Sequence, residues 1–196
     1  MQYLLGEALT ASNYDGYSYL GETVSALGVP ADSPWHAVMN TSFCLSAVSV
    51  AVAGACSAHL LRRRRRRVYL GSVAAYSLGC VLIAAVHAGD SNIHVLGAVL
   101  AIAAGNVIAV TVGTAGTVGT GVRGCPRWYR VASTALGVAG LAVSGLLLAG
   151  VGPIGAVERF PIYTFVAWEL LTAGTLVRSA GSRISLRSRA ATKTAS

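Results

Sequence analysis

Long apolar runs separated by short, arginine-bearing connections constrain this chain more than any other feature. Ala37–Leu61, Val68–Ala88, His94–Thr114 and Val131–Val151 each reach the length of about 20 residues that a membrane-crossing helix needs. A fifth run, Pro161–Val177, is shorter. At about 1.5 Å per residue it covers roughly 25 Å. It is therefore expected to thin the bilayer or borrow flanking residues, with Arg178 snorkelling from its end. Only 11% of the chain is charged and 54% is apolar, with a mean hydropathy of +0.62. A soluble domain carries about 25% charge, and disorder requires low hydrophobicity, so both classes are excluded. The expected fold is an all-α integral membrane helical bundle with five visible transmembrane helices.

The connections Arg62–Arg67, Gly89–Ile93, Ala115–Arg130 and Gly152–Phe160 are too short to fold as soluble domains. Residues 1–177 therefore form a single transmembrane domain. Residues 178–196 form a Ser/Arg/Ala-rich basic tail whose composition predicts disorder. Cys44, Cys56 and Cys80 lie within apolar runs and Cys125 in a basic connection. They read as small hydrophobes, without the spacing of a disulfide or zinc framework.

Of fifteen positive charges only Lys193 is lysine, a bias associated with GC-rich bacterial genomes. Arg62–Arg67, then Arg123, Arg127 and Arg130, then Arg178, Arg183, Arg187, Arg189 and Lys193 are separated by two crossings each time. All but Arg159 thus fall on one face, which the positive-inside rule makes cytoplasmic. The expected location is the cytoplasmic membrane, with the C-terminus inside. Asp15, Glu22, Asp32, Asp90 and Glu158 fall on the opposite face, as does the segment Ser12–His36. Residues 1–11 then look like the outer end of a helix whose first half would precede Met1, making six spans in the full protein. The other possibility is five spans with the N-terminus outside.

Short motifs add a resemblance. Tyr17-Ser18-Tyr19 precedes Thr23-Val24-Ser25-Ala26-Leu27-Gly28, and Pro34-Trp35-His36 with Asn40 heads an apolar run. His94 heads a later one, and the last carries Glu158-Arg159-Phe160-Pro161-Ile162-Tyr163 and Trp168-Glu169. The chain resembles domain-of-unknown-function family 998, small multi-pass bacterial and archaeal membrane proteins, over about residues 1–177. The resemblance implies six helices and a membrane location, and it supplies no activity. This chain departs from the family pattern in lacking most of the first helix.

Ionisable groups other than arginine gather at the outer face. His36, His87, Asp90 and His94 supply the nitrogen and oxygen donors a zinc site uses, and water on such a metal could attack an ester or amide. No HExxH occurs. The simpler account, that these residues cap helix ends at the wet interface, is preferred, and no cofactor is otherwise expected. Glu169 lies about 10 Å below the outer end of its run, where a charged carboxylate should be paired or protonated. Asn40 and Asn106 are its candidate partners, and Glu7 is a second buried carboxylate candidate. Glu158 and Arg159 are adjacent and cannot share a helical face. Arg159 is expected to pair with Asp90 or Glu22, or else to bind a lipid phosphate through its bidentate fork.

The run Arg62–Arg67 should fix topology and attract anionic lipid headgroups. No nucleic-acid partner is expected, because the run is short and pinned at the membrane. VGTAGTVGTG at residues 112–121 lacks the lysine of a phosphate loop. Gly97, Ala101, Gly105 and Ala109, spaced by four, form a face suited to close helix packing, and Gly137, Gly140, Ser144 and Gly145 do something similar. The preferred function is that of a non-enzymatic membrane protein with an outward-facing polar pocket for lipid or a small ligand. The alternatives are a metal-dependent hydrolase built on the outer His/Asp cluster and a small proton-coupled transporter using Glu169. No inverted repeat supports the transporter.

Overall fold

The computed structural model describes residues 1–115 and 126–194, with side chains as far as residue 179. Among the described residues there are six α-helices and no strand: α1 (Gln2–Ser12), α2 (His36–Ser57), α3 (Arg63–Ala85), α4 (Asn92–Gly113), α5 (Arg127–Leu148) and α6 (Ile154–Thr194). Within them, five segments are long and apolar enough to cross a membrane: His36–Leu60, Arg63–Ala85, Asn92–Gly113, Arg127–Leu148 and Ile154–Ser179. A bilayer offers backbone amides no water, so helices are the elements that satisfy them within one segment.

Three helices begin four or more residues earlier than hydropathy suggests, α5 opening at Arg127 rather than Val131. The arginine run is no loop, since Arg63–Arg67 form the opening turns of α3. Their charges stand at the end of the helix dipole that favours anions. α6 begins at Ile154, seven residues before Pro161, so Glu158 and Arg159 lie inside it rather than before it. The last span is therefore 26 residues long and need not thin the bilayer. The side chains of the basic tail beyond residue 179 and of most of the Gly-Thr repeat lie outside the described residues, as do those of Arg123 and Cys125.

Each helix packs on its neighbour in sequence, and α4 also meets α6. Half of the apolar stretch of α4 is buried against 17% of that of α5, so α4 is central and α5 peripheral. Arg65 reaches Thr114 (3.4 Å) and Arg130 reaches the Gly113 carbonyl (3.5 Å), which gathers the starts of α3 and α5 with the end of α4. The small-residue face of α4 serves two neighbours. A Cβ on Gly79 of α3 would lie 2.5 Å from both the Ala101 nitrogen and the Gly97 oxygen, and one on Gly105 would lie 3.0 Å from the Phe165 ring of α6. Gly137 of α5 approaches the Asn106 carbonyl equally closely, whereas Gly145 has no neighbour within 4 Å. Leu45, Val48, Val52, Leu78 and Val81 point outward, as apolar side chains facing lipid do.

At the end opposite the arginines, residues 13–35 fold back as a cap containing a 3₁₀ turn, Ser25–Gly28. Val24 and Leu27 are 1% and 0% exposed and share one core cluster with Met39 and Phe43. The cap lies so close to α6 that a Cβ on Gly155 would fall within 2.4–2.9 Å of the carbonyl oxygens of Glu22, Tyr19 and Leu20. The Gly155 amide donates to Leu20 O at 3.1 Å.

Candidate functional site

Arg159 ties three separate segments together. It is 4% exposed. Its Nε donates to Glu7 Oε1 of α1 at 2.8 Å, and its Nη1 donates to the carbonyls of Tyr19 (2.9 Å), Glu22 (2.7 Å) and Gly155 (3.1 Å). Nη2 donates to the Tyr17 hydroxyl. The guanidinium also stands over the Tyr17 and Tyr19 rings, 5.4 and 4.7 Å from their centroids. Burial pushes the Tyr17 phenol above its ordinary value, outweighing the opposing pull of Arg159, so Tyr17 meets the cation as a neutral hydroxyl. Tyr163 Oη donates to the same Glu7 oxygen at 3.0 Å. The expected partners are thus corrected. Glu7 is the counter-ion, Glu22 contributes its backbone oxygen, and Asp90 instead lies 3.5 Å from His87. With every donor group directed inward, Arg159 has no fork left for a lipid phosphate.

Glu158, one residue earlier, faces another way, as the 100° helical step requires. Its Oε2 accepts from the Val24 amide at 2.5 Å and its Oε1 from Ser25 Oγ at 3.2 Å, so it anchors the cap to α6 a second time. Glu158, Ile162, Phe165 and Glu169 are spaced four, three and four residues apart and form one stripe. That stripe borders a cavity of about 50 Å³, lined by α1, α2, α3, α4 and α6 beneath the cap. Tyr3, Phe43 and Tyr76 contribute rings to its wall, and Ser46 and Cys80 contribute smaller polar groups. α1 and α6 complete the enclosing ring through Glu7, Arg159 and Tyr163.

Glu169 lies deeper than the sequence suggests, about 22 Å along α6 from Ile154. It forms no ion pair or hydrogen bond with another side chain among the described residues. Neither the Met1 amino group nor any described basic side chain lies within ion-pair distance of it. A charged carboxylate at such a depth costs about 2.5–3.5 kcal/mol on insertion scales. Tyr3 Oη, in the same cavity wall, is buried without a hydrogen-bond partner.

Neither asparagine partners Glu169. Asn40 donates to the Gly28 carbonyl (3.0 Å) and holds the cap's 3₁₀ turn. Asn106, fully buried, donates to Ile102 O and Pro161 O, both at 2.9 Å, and accepts from Thr164 Oγ1 at 3.0 Å. It thereby fastens α4 to the proline turn of α6. Interhelical hydrogen bonds in membranes average about 0.6 kcal/mol each. With two of them lost, Asn106→Ala should destabilise the purified protein by about 1–2 kcal/mol in detergent unfolding, and an unchanged midpoint would refute this fastening role.

The histidines do not converge. His36 Nδ1 donates to Ser33 O at 3.0 Å and His94 Nδ1 to Val86 O at 2.6 Å. Asp90 Oδ2 accepts from the His87 amide at 3.2 Å, and Ser91 caps α4 by accepting from the Ile93 amide. The turn from His87 to His94 thus serves to join two helices. Among the described residues no three His, Cys, Asp or Glu side chains are grouped to hold a metal ion, so the hydrolase reading gains no support from the geometry. Sequence reasoning passed over Tyr17, Tyr19 and Tyr163 as site residues. Their recurrence in the short motifs was the available signal.

Five membrane-length apolar helices around a buried polar node define a multi-pass membrane protein. The sequence model of the family described as "Protein of unknown function (DUF998)" matches residues 2–175, and the chain belongs to that family. No curated protein and no solved structure matches it.

Proposed function

We propose that this protein is a non-enzymatic, ligand-binding protein of the cytoplasmic membrane, and that the capped cavity between α1, α2, α3, α4 and α6 is its binding site. The carrying observation is a polar pair in an apolar chamber: Tyr3 Oη is buried without a hydrogen-bond partner, and Glu169, half-buried, makes no ion pair or hydrogen bond with another side chain among the described residues, while both border the same space. Ligand sites are typically apolar concavities with a few polar groups that fix orientation. The arginine pattern supports a cytoplasmic arginine end, which places the cap outside. Arg63–Arg67, at the dipole-positive start of α3, are suited to anionic headgroups. A proton-coupled carrier is the second reading, favoured by the depth of Glu169.

The test fills the chamber. Ala98 borders it and is partly buried. Ala98→Met should leave the purified protein monodisperse while abolishing saturable thermal stabilisation by small molecules drawn from cationic, neutral and anionic classes. Stabilisation that survives the substitution would place binding elsewhere and refute the proposal.

A further inference from the structure

We infer that the chamber takes a small organic cation of the alkylammonium type; this rests on the chamber being a ligand site. Three observations converge on that chemistry. The wall carries two carboxylates, Glu158 and Glu169, and no lysine, arginine or histidine. The nearby cation, Arg159, is already surrounded by Glu7, the Tyr17 hydroxyl and three backbone carbonyls, so it does not neutralise Glu169. The wall also holds two aromatic pairs, Tyr3–Phe43 with ring centroids 6.1 Å apart and Tyr76–Phe165 at 5.0 Å. Aromatic faces attract ammonium groups through the ring quadrupole, and cages of such rings are used for alkylated ammonium ligands.

The two acids play different parts. Both oxygens of Glu158 accept hydrogen bonds from the cap, whereas Glu169 has none from any described side chain. Glu169 is therefore the counter-ion, and the Tyr3 hydroxyl is a free acceptor for an N–H donor. The volume sets the size. At about 50 Å³ the chamber suits a small ligand.

Radiolabelled ethylammonium, ethanol and acetate are small and differ in charge. Equilibrium dialysis against the full chain in nanodiscs should show saturable ethylammonium binding that Ala98→Met abolishes. Ethanol and acetate should bind at least tenfold more weakly. Glu169→Gln should weaken ethylammonium at least tenfold, while Glu169→Asp, which keeps the charge, should stay within about threefold of the parent. Ethanol binding as tightly as ethylammonium, or ethylammonium binding indifferent to Glu169→Gln, would overturn the cation assignment and leave the chamber as a ligand site. Should none of the three probes bind in an Ala98-dependent manner, the cation assignment fails, and the broader panel of the thermal test decides whether the chamber binds anything. Should Glu169→Gln fail to fold, the charge series on the parent protein decides the question alone.

Discussion

Replacing Arg159 with methionine should destabilise the bundle by about 3–5 kcal/mol, the usual effect of removing one partner from a buried ion pair. The substitution strands the Glu7 carboxylate, which is 1% exposed and otherwise accepts only from Tyr163. It also releases the Tyr19 and Glu22 carbonyls that hold the cap. Unfolding in detergent should show the loss, and limited proteolysis should find residues 13–35 newly cleavable. Lysine should rescue poorly, because a compact ammonium cannot reach acceptors arranged around a planar fork. Glu7→Gln combined with Arg159→Met should be more stable than Arg159→Met alone, since the stranded charge is gone. A single-variant loss below about 1 kcal/mol, with the cap still protected, would contradict the role assigned to Arg159.

Gly79→Val is expected to have the second largest effect. Its new Cβ would meet backbone atoms of Gly97 and Ala101 at 2.5 Å, and backbone cannot move aside as a flexible side chain can. Either α3 and α4 separate or the turn joining them distorts. Overpacking typically costs about 1–3 kcal/mol, and this contact falls at the upper end because the whole helix pair must shift. Gly145→Val is the control: nothing lies within 4 Å of Gly145, so its unfolding midpoint should change little. Equal effects at the two glycines would show that close approach is not what distinguishes Gly79.

The spans and the charge asymmetry were legible because hydropathy and arginine placement are local properties. The start of α6 was not. Glu158 and Arg159 look like the polar edge of a short apolar run until their partners are known, and Glu7 lies 152 residues away from Arg159. The same reason hid the beginning of α3, where charged residues continue a helix that composition alone would end. Glu7 and Glu169 stood out individually as carboxylates at membrane depth, and Glu158 and Arg159 as charges of the outer face. Their grouping depended on which helix faces converge, as did the assignment of Asn106 to the Pro161 turn. The stripe Glu158, Ile162, Phe165, Glu169 was readable as helical spacing, but the space in front of it belongs to four other helices.

The ion pair between α1 and α6 also bears on the order of synthesis. Glu7 emerges from the ribosome early, and Arg159 emerges after α2 to α5 have been made. Until then the carboxylate has no counter-charge, and the ring around the chamber stays open. A chain that stops before α6 therefore leaves the Glu7 carboxylate without its counter-charge.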